Sequence, residues 1–175
     1  RGCGVEPQHG RGRIGPHRGP AERLVPRGAG VAQRPRAVAL ALAREGAAVA
    51  LAARSAAELD AVAHEIRQAG GRALVAVTDV RQEPAVEALA RRTLGEWGRV
   101  DVLVNSAGLA AFAPVTDSKI DDWDQMLAVN LRGAVLACRA VLPAMTARRR
   151  GTIINIGSVV TSRSLTGSAA YTASK

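Results

Sequence analysis

The chain has 175 residues, enough for one domain with a sizeable apolar core, and its hydrophobic content of 47% is typical of a globular protein. Aromatic residues make up only 2%, so we expect a core of aliphatic side chains. Residues 1–37 carry eight arginines against Glu6 and Glu22 and so hold six of the nine net positive charges, which makes the remainder of the chain a poor candidate for a nucleic-acid-binding surface.

The cysteines and the hydropathy pattern indicate a reduced, cytoplasmic protein. Cys3 and Cys138 are too few and too far apart for a disulfide framework, and no apolar run approaches the length of a membrane span. The candidate zinc ligands are Cys3, His9, His17 and His64. They lack the spacing of a zinc site, so we expect no bound metal.

Residues 1–36 are predicted to be an irregular or disordered leader. The first 37 residues contain eight glycines and five of the eight prolines, and they lack Ser, Thr and Lys. Such a stretch buries too little apolar surface to offset the entropy of ordering it. Two origins stay open for the leader: a frameshifted translation of GC-rich coding DNA and a genuine extension.

From Ala37 onward, helix and strand signals alternate with short turns. Ser55 and Glu58 form a capping box, Pro84 suits the first turn of a helix, and Gly98 suits a helix end. We predict helices over 37–45, 55–70, 84–97 and 121–149, the last one bent, and strands over 47–53, 73–78, 100–105 and 152–156. This alternation predicts an α/β fold with a doubly wound parallel sheet.

Ligands of such sheets bind at the carboxyl ends of the strands. The residues that directly follow the four predicted strands are therefore the first candidates for a site. They are Arg54, Asp79, the segment Asn105 to Gly108, and Gly157-Ser158.

Residues 37–175 resemble the short-chain dehydrogenases/reductases. The resemblance rests on the order and spacing of Asp79-Val80, Asn105-Ser106-Ala107-Gly108, Asn130, Ser158 and Tyr171-Thr172-Ala173-Ser174-Lys175. Each element is weak alone, but the combination is specific. It implies a partial NAD(P)-binding Rossmann domain and an oxidoreductase that interconverts a carbonyl and a secondary alcohol by hydride transfer, with 3-oxoacyl-[acyl-carrier-protein] reductase as the default relative.

The resemblance also implies a catalytic set. Tyr171 would be the general acid/base, Lys175 its electrostatic partner, Ser158 the anchor of the substrate carbonyl and Asn130 a proton relay. Tyr171 and Lys175 are four residues apart and so neighbours on one helix face. A cation about 4 Å away is worth roughly 4 kcal/mol at an effective dielectric constant of 20, which lowers the pKa of a phenol by about three units.

Cofactor contacts follow from the same resemblance. Asp79 and Val80 would bind the adenine, while Asn105, Ala107 and Gly108 would let the backbone approach the cofactor beside Tyr171 and Lys175. Arg54 favours the 2′-phosphate of NADP, with NAD as the open alternative. Asp79 as a helix cap and Arg54 as a solvated surface residue are the competing interpretations.

The family pattern fails at both ends of the chain. The three phosphate-loop glycines fall on Ala29, Gln33 and Pro35, and the Gly-x-Gly-x-x-Gly match at Gly10 to Gly15 follows no strand. Lys175 is the last residue, so we expect a sheet that is incomplete at both ends and impaired activity.

The alternative functions are a non-catalytic fragment and a nucleic-acid-binding protein acting through the leader. We expect a small-molecule carbonyl or alcohol substrate, no membrane or nucleic-acid partner, and homo-oligomers among full-length relatives.

Overall fold

The computed structural model describes residues 33–163 and 165–175. Six helices and four strands are present in the described part. The helices are α1 (Gln33–Arg44), α2 (Ala56–Gln68), α3 (Glu83–Trp97), α4 (Ile120–Met126), α5 (Gly133–Ala147) and α6 (Ala169–Ser174), and the strands are β1 (Ala48–Ala53), β2 (Arg72–Val77), β3 (Val102–Asn105) and β4 (Thr152–Asn155).

The first helix begins earlier than the sequence predicts. Helix α1 starts at Gln33, four residues before the predicted boundary, and it includes the last four residues of the predicted leader. Pro35 is compatible with this start because the first turn of a helix needs no amide donor from that residue. Arg36 is anchored by an ion pair with Glu65 of α2. The rest of the leader, with the match at Gly10 to Gly15, lies outside the described residues.

The strands form two parallel pairs. In the first pair Ala48 of β1 lies opposite Arg72 of β2, and in the second Val102 of β3 lies opposite Thr152 of β4. Each pair is connected through helices, which confirms the predicted α/β architecture with parallel strands. Among the described residues no strand joins β1 to β3, so the sheet consists of two separate strand pairs.

Two aliphatic clusters cover the sheets, as the low aromatic content predicts. The first packs α1 and α2 on β1 around Ala63 and Ile66, which are almost fully buried. The second packs Val141 and Met145 of α5 and Ala90 of α3 against the β3–β4 pair.

Local signals explain the helix ends. The Ser55 hydroxyl accepts a hydrogen bond from the backbone N–H of Glu58 at 3.4 Å and so caps α2 as predicted. Gly98 ends α3 in the left-handed region, with φ of 68°. Glycine adopts this conformation readily because it has no Cβ, so α3 ends at Gly98, before β3 begins.

The longest helical run bends through a π-helical turn at residues 127–132, between α4 and α5. The run Ile120–Ala147 has 28 residues and is long and apolar enough to cross a membrane by length and composition alone. It carries Leu136, Val141 and Met145 into the protein core, so we interpret it as a helix of the folded domain. The bend agrees with the prediction and sets the direction of Asn130.

Candidate active site

Asn130 lies at the centre of the candidate site and holds the loop that follows β3. It is buried in the π-helical turn. Its Oδ1 accepts a hydrogen bond from the backbone N–H of Leu109 at 2.8 Å, and its Nδ2 donates to the Leu109 carbonyl, also at 2.8 Å. The side-chain amide therefore pairs with both backbone groups of one residue and fixes the end of the Asn105 to Gly108 segment.

The same amide reaches α6 through Ser174. The Nδ2 of Asn130 donates to the Ser174 hydroxyl at 2.7 Å, and that hydroxyl donates to the carbonyl of Tyr171 at 2.8 Å. Ser174 is almost fully buried. Ser174 belongs to the motif from Tyr171 to Lys175, but the sequence analysis assigned no role to it. The contact joins the π-helical turn to the helix that carries Tyr171 and Lys175.

Lys175 meets the loop after β3 on one side and the loop after β4 on the other. Its Nζ donates to the carbonyl of Ile156 at 3.1 Å. A Cβ atom placed on Gly108 would lie 3.3 Å from this Nζ and 3.8 Å from Oδ1 of Asn130. Glycine at position 108 therefore leaves room for the ammonium group. Burial lowers the pKa of Lys175 from its usual value because it disfavours the charged form.

Ser158 begins the turn that follows β4. It lies two residues after Ile156, whose carbonyl holds Lys175. Its Oγ accepts a hydrogen bond from the backbone N–H of Val160 at 3.5 Å and caps the 3-10 turn Val159–Thr161. The predicted contact between this hydroxyl and a substrate carbonyl stays a prediction.

Tyr171 contacts the single phenylalanine of the chain. The ring centroids of Tyr171 and Phe112 are 5.7 Å apart, and the ring planes are tilted by 59°. This is within the range of favourable aromatic pairs. Phe112 lies in the loop between β3 and α4, which is joined to the loop before α6 by a hydrogen bond from Ala113 N–H to the Gly167 carbonyl at 2.9 Å. The sequence analysis did not identify Phe112.

Asn105 is held by the neighbouring strand. Its Nδ2 donates to Oδ1 of Asn155 at 2.8 Å and approaches Sγ of Cys138 at 3.6 Å. The two asparagines lie opposite each other in the register of β3 and β4. This pair fixes the ends of the two strands from which the loops carrying Gly108 and Ser158 begin.

A second cluster forms at the ends of β1 and β2. The carboxylate of Asp79 accepts hydrogen bonds from Nε of Arg81 at 3.0 Å and from its Nη2 at 2.6 Å, as well as from the Arg81 backbone N–H at 3.0 Å. These bonds with Arg81 lower the pKa of Asp79 to about 2, and the positive charge of Arg54 adds to the effect. Asp79 thus caps a turn, and Arg54, which is exposed, lies near enough to influence it electrostatically.

Val80 and Ala107 occupy different surroundings. A Cβ placed on Gly133 would lie only 2.9 Å from Cγ2 of Val80, so Val80 packs closely against the start of α5. Ala107 is exposed in the loop after β3. Packing on α5 and exposure to solvent are both compatible with the predicted cofactor contacts, which stay predictions.

The structure brings most of the predicted catalytic residues to one end of the β3–β4 pair. Asn130 and Lys175 border Gly108 directly, Tyr171 lies on the same short helix, and Ser158 follows the carbonyl that holds Lys175. Arg54 and Asp79 belong to the other strand pair. The residues that the sequence analysis missed are Phe112, Leu109, Arg81 and Ser174.

The geometry is suited to the nicotinamide side of a dinucleotide. Gly108 has no Cβ to crowd the Lys175 ammonium group, and a Cβ added to Gly157 would meet no other atom within 4 Å. The backbone at these two glycines is therefore accessible next to Lys175. The pyrophosphate side is not suited in the same way, because Gln33 and Pro35 occupy glycine positions of the motif, in the first turn of α1. Among the described residues no group of three potential metal ligands occurs.

Comparisons with known proteins agree with this geometry. The family model described as short chain dehydrogenase matches residues 35–175. A metagenomic short-chain oxidoreductase crystallised in complex with NADP is 42% identical, with a TM-score of 0.79 over 83% of this chain and 67% of that chain. A 3-ketoacyl-ACP reductase from Sinorhizobium meliloti 1021 is 36% identical, with a TM-score of 0.78 over 83% of this chain and 58% of that chain.

A curated relative matches a shorter stretch. The NADP-dependent 3-hydroxy acid dehydrogenase YdfG of Salmonella typhi is 43% identical over 58 residues, which is 33% of this chain and 23% of that protein. The chain therefore spans only part of the length of the proteins that it matches.

Proposed function

The chain belongs to the short-chain dehydrogenase family, and from this premise we propose that it carries the catalytic side of an NADP(H)-dependent oxidoreductase that interconverts a carbonyl and a secondary alcohol. The observation that carries the proposal is the meeting of Asn130, Gly108 and Lys175 at the carboxyl ends of β3 and β4. Tyr171 on the same helix turn and Ser158 after β4 complete the set.

The cofactor contributes the hydride that the reaction transfers, and this chain's residues bind and orient it. Lys175, Tyr171 and the backbone from Asn105 to Gly108 would hold the nicotinamide and its ribose. Arg54 at the end of β1 supports NADP over NAD because a 2′-phosphate needs a cation there. The similarity to a structure that contains NADP supports the same choice.

Proton transfer is the task of the side chains. When the carbonyl carbon accepts hydride, its oxygen becomes an alkoxide, and the Tyr171 hydroxyl donates the proton to it. The Ser158 hydroxyl donates a hydrogen bond to the same oxygen and stabilises the developing charge. The Lys175 ammonium favours the phenolate that remains on Tyr171.

Asn130 acts chiefly as an anchor in this proposal. Both N–H groups of its amide are engaged, one with the Leu109 carbonyl and one with Ser174. We therefore assign it to positioning the loop that bears Gly108 and the helix that bears Lys175. The relay role expected from the sequence stays a prediction.

The departure at the phosphate loop predicts weak nucleotide binding. Gln33 and Pro35 lie in the first turn of α1, where the glycines of the motif let a pyrophosphate approach the helix N-terminus. A Pro in this turn offers no N–H to a phosphate. We propose that the catalytic residues are intact and that binding of the cofactor limits turnover.

The test is reduction of a β-keto ester by the purified chain at saturating NADPH. Tyr171→Phe should abolish the reaction even when NADPH fluorescence shows that the nucleotide is bound. Leu142→Ala, at an exposed position on α5, is the matched control and should retain the activity. Reduction that continues in Tyr171→Phe would contradict the proposal.

A further inference from the structure

Gly133 directly follows the π-helical turn and is buried against Val80 of the loop after β2. A Cβ atom placed on Gly133 would lie 2.9 Å from Cγ2 of Val80, 3.1 Å from its Cβ and 3.4 Å from its carbonyl oxygen. The Gly133 backbone is ordinary helix, with φ of −58°, so no left-handed conformation requires glycine here. Glycine inside a helix costs about 1 kcal/mol relative to alanine. What this glycine permits is the close approach of Val80.

Arg132 holds the next residue of the same loop. Its Nη1 donates a hydrogen bond to the carbonyl of Arg81 at 2.9 Å. The backbone N–H of Arg81 donates in turn to Oδ1 of Asp79 at 3.0 Å, and Nε of Arg81 binds the same oxygen at 3.0 Å. Three consecutive residues of the loop are thus fixed, because Asp79 is bound by Arg81, Val80 packs on Gly133, and Arg81 is bound by Arg132.

The π-helical turn therefore connects the ends of the two strand pairs. Asn130 holds Leu109 in the loop after β3 and Ser174 in α6, and Arg132, two residues later, holds the loop after β2. Side chains two residues apart on a helix do not face each other, so one turn contacts loops on two sides. Turns of this kind are frequent at functional sites.

From these contacts we propose that Arg132 and Gly133 are positioning residues for the adenine side of the cofactor site. They hold Asp79 and Val80, the two residues expected to contact adenine, in register with the turn whose Asn130 holds the catalytic side. The inference rests on the proposed function and deepens it, because one turn then positions both sides of the dinucleotide. Loosening this contact should weaken cofactor binding and leave the reaction at saturating cofactor unchanged.

The first test reads the position of the loop without any cofactor. Bonds from Arg81 hold the pKa of Asp79 at about 2, so its carboxylate should stay ionised above about pH 3. In Gly133→Ala the added Cβ displaces Val80 and separates Arg81 from Asp79, so the carboxyl-carbon NMR signal of Asp79 should titrate nearer the ordinary value of about 3.9. Adding Val80→Ala removes the atom closest to that Cβ and should restore the low pKa.

The same signal tests Arg132. Arg132→Met removes the donor to the Arg81 carbonyl and should raise the pKa of Asp79, whereas Arg132→Lys keeps a charge and a donor and should preserve the low value. Arg139→Met is the matched control. It removes another arginine near the start of α5, one whose Nη1 pairs with Glu83 at 3.1 Å, and it should leave Asp79 unchanged.

Asp101 is an internal control for the fold. Its pKa is also about 2, but the cause is its bonds with Arg99 and Arg148, and it precedes β3 at the opposite end of the strand from the site. It should therefore stay ionised above about pH 3 in every variant. A shift at Asp101 equal to that at Asp79 would mean that the substitutions loosen the whole domain, and it would overturn the positioning role.

The second test measures binding of adenosine 2′,5′-bisphosphate, the half of NADP that carries the adenine. Arg132→Met and Gly133→Ala should each raise its Kd by about fivefold, the effect of about one hydrogen bond, while Arg139→Met should not. Gly133→Ala changes no charge, so a similar effect in both variants distinguishes positioning from attraction between Arg132 and the phosphates. With the β-keto ester, KM for NADPH should rise in the same two variants and kcat should not change.

The outcomes separate the two claims. If no ester is reduced but the two variants weaken binding of the bisphosphate and shift Asp79, the proposed function fails and the inference holds. If the ester is reduced while Asp79 or the Kd does not respond, or while kcat falls as far as kcat/KM, the inference is overturned and the proposed function stands. If the unaltered chain neither reduces the ester nor binds the bisphosphate, both are wrong.

Discussion

Replacing Asn130 by Ala should destabilise the protein more than its small change in volume suggests. Asn130 is buried, and its amide makes three hydrogen bonds: two with the backbone of Leu109 and one with the hydroxyl of Ser174. Ala removes all three and leaves the Leu109 N–H without its side-chain partner. The loop after β3 and helix α6 then lose the contact that connects them.

The magnitude follows from the number of bonds. At about 1 kcal/mol net for each hydrogen bond lost, Asn130→Ala should lower the free energy of unfolding by about 3 kcal/mol. Asn155→Ala is the matched control, since Asn155 is exposed and accepts one hydrogen bond, from Asn105 at 2.8 Å. Its expected loss is about 1 kcal/mol or less.

Urea unfolding followed by the fluorescence of Trp97 and Trp123 measures both values. Trp123 is well placed as a reporter because it lies in α4, just before the π-helical turn. Asn130→Asp is a second variant of nearly the same size. It keeps an acceptor for the Leu109 N–H but replaces a donor with a carboxylate oxygen facing the Leu109 carbonyl, so it should also destabilise. If Asn130→Ala costs no more than Asn155→Ala, the anchoring role is refuted.

Three further predictions concern charge. Burial lowers the pKa of Lys175, so the unfolded chain binds more protons between the folded and the usual pKa, and stability should rise with pH in that range. Lys175→Met should abolish ketone reduction and remove this pH dependence of the melting temperature, read by circular dichroism. The pKa of Asp79 is about 2 when folded, so its contribution is present above about pH 4 and is lost as the pH falls toward 2. Asp79→Asn should remove this part of the acid sensitivity, by about 1 kcal/mol or less in urea titrations, and Asp101→Asn should remove a separate part of its own, because Arg99 and Arg148 lower the pKa of Asp101 to about 2 as well. Arg54→Asp should shift the preference from NADPH toward NADH in nucleotide titrations, and an unchanged ratio would show that Arg54 is only a surface residue.

Much of the fold is readable from local sequence signals. The strands 47–53 and 73–78 differ from β1 and β2 by one residue at an end or a shift of one position, because uniformly apolar runs between turn residues have few alternatives. Ser55 and Gly98 fix the start of α2 and the end of α3 through hydrogen bonding and a left-handed backbone. The parallel pairing was predicted from the alternation of strands and helices, but the division into two strand pairs was not, since it depends on a neighbouring strand that local signals do not supply.

The candidate site is only partly readable. Residues that follow strands were found because topology alone brings strand ends together. Ser174 was missed because its partner Asn130 is 44 residues away, and their contact exists only because the π-helical turn directs Asn130 toward α6. Phe112 was missed for a similar reason, because a lone aromatic residue in a loop shows its role only once it contacts Tyr171.

Helix α6 ties these observations together. It has six residues, too few to be stable through intrinsic propensity. Tertiary hydrogen bonds hold its end instead: Ser174 binds Asn130, and Lys175 binds the Ile156 carbonyl. The bonds that order the helix thus also set the positions of Tyr171 and Lys175. A substitution at Asn130 or Ser174 should therefore lower stability and catalysis together.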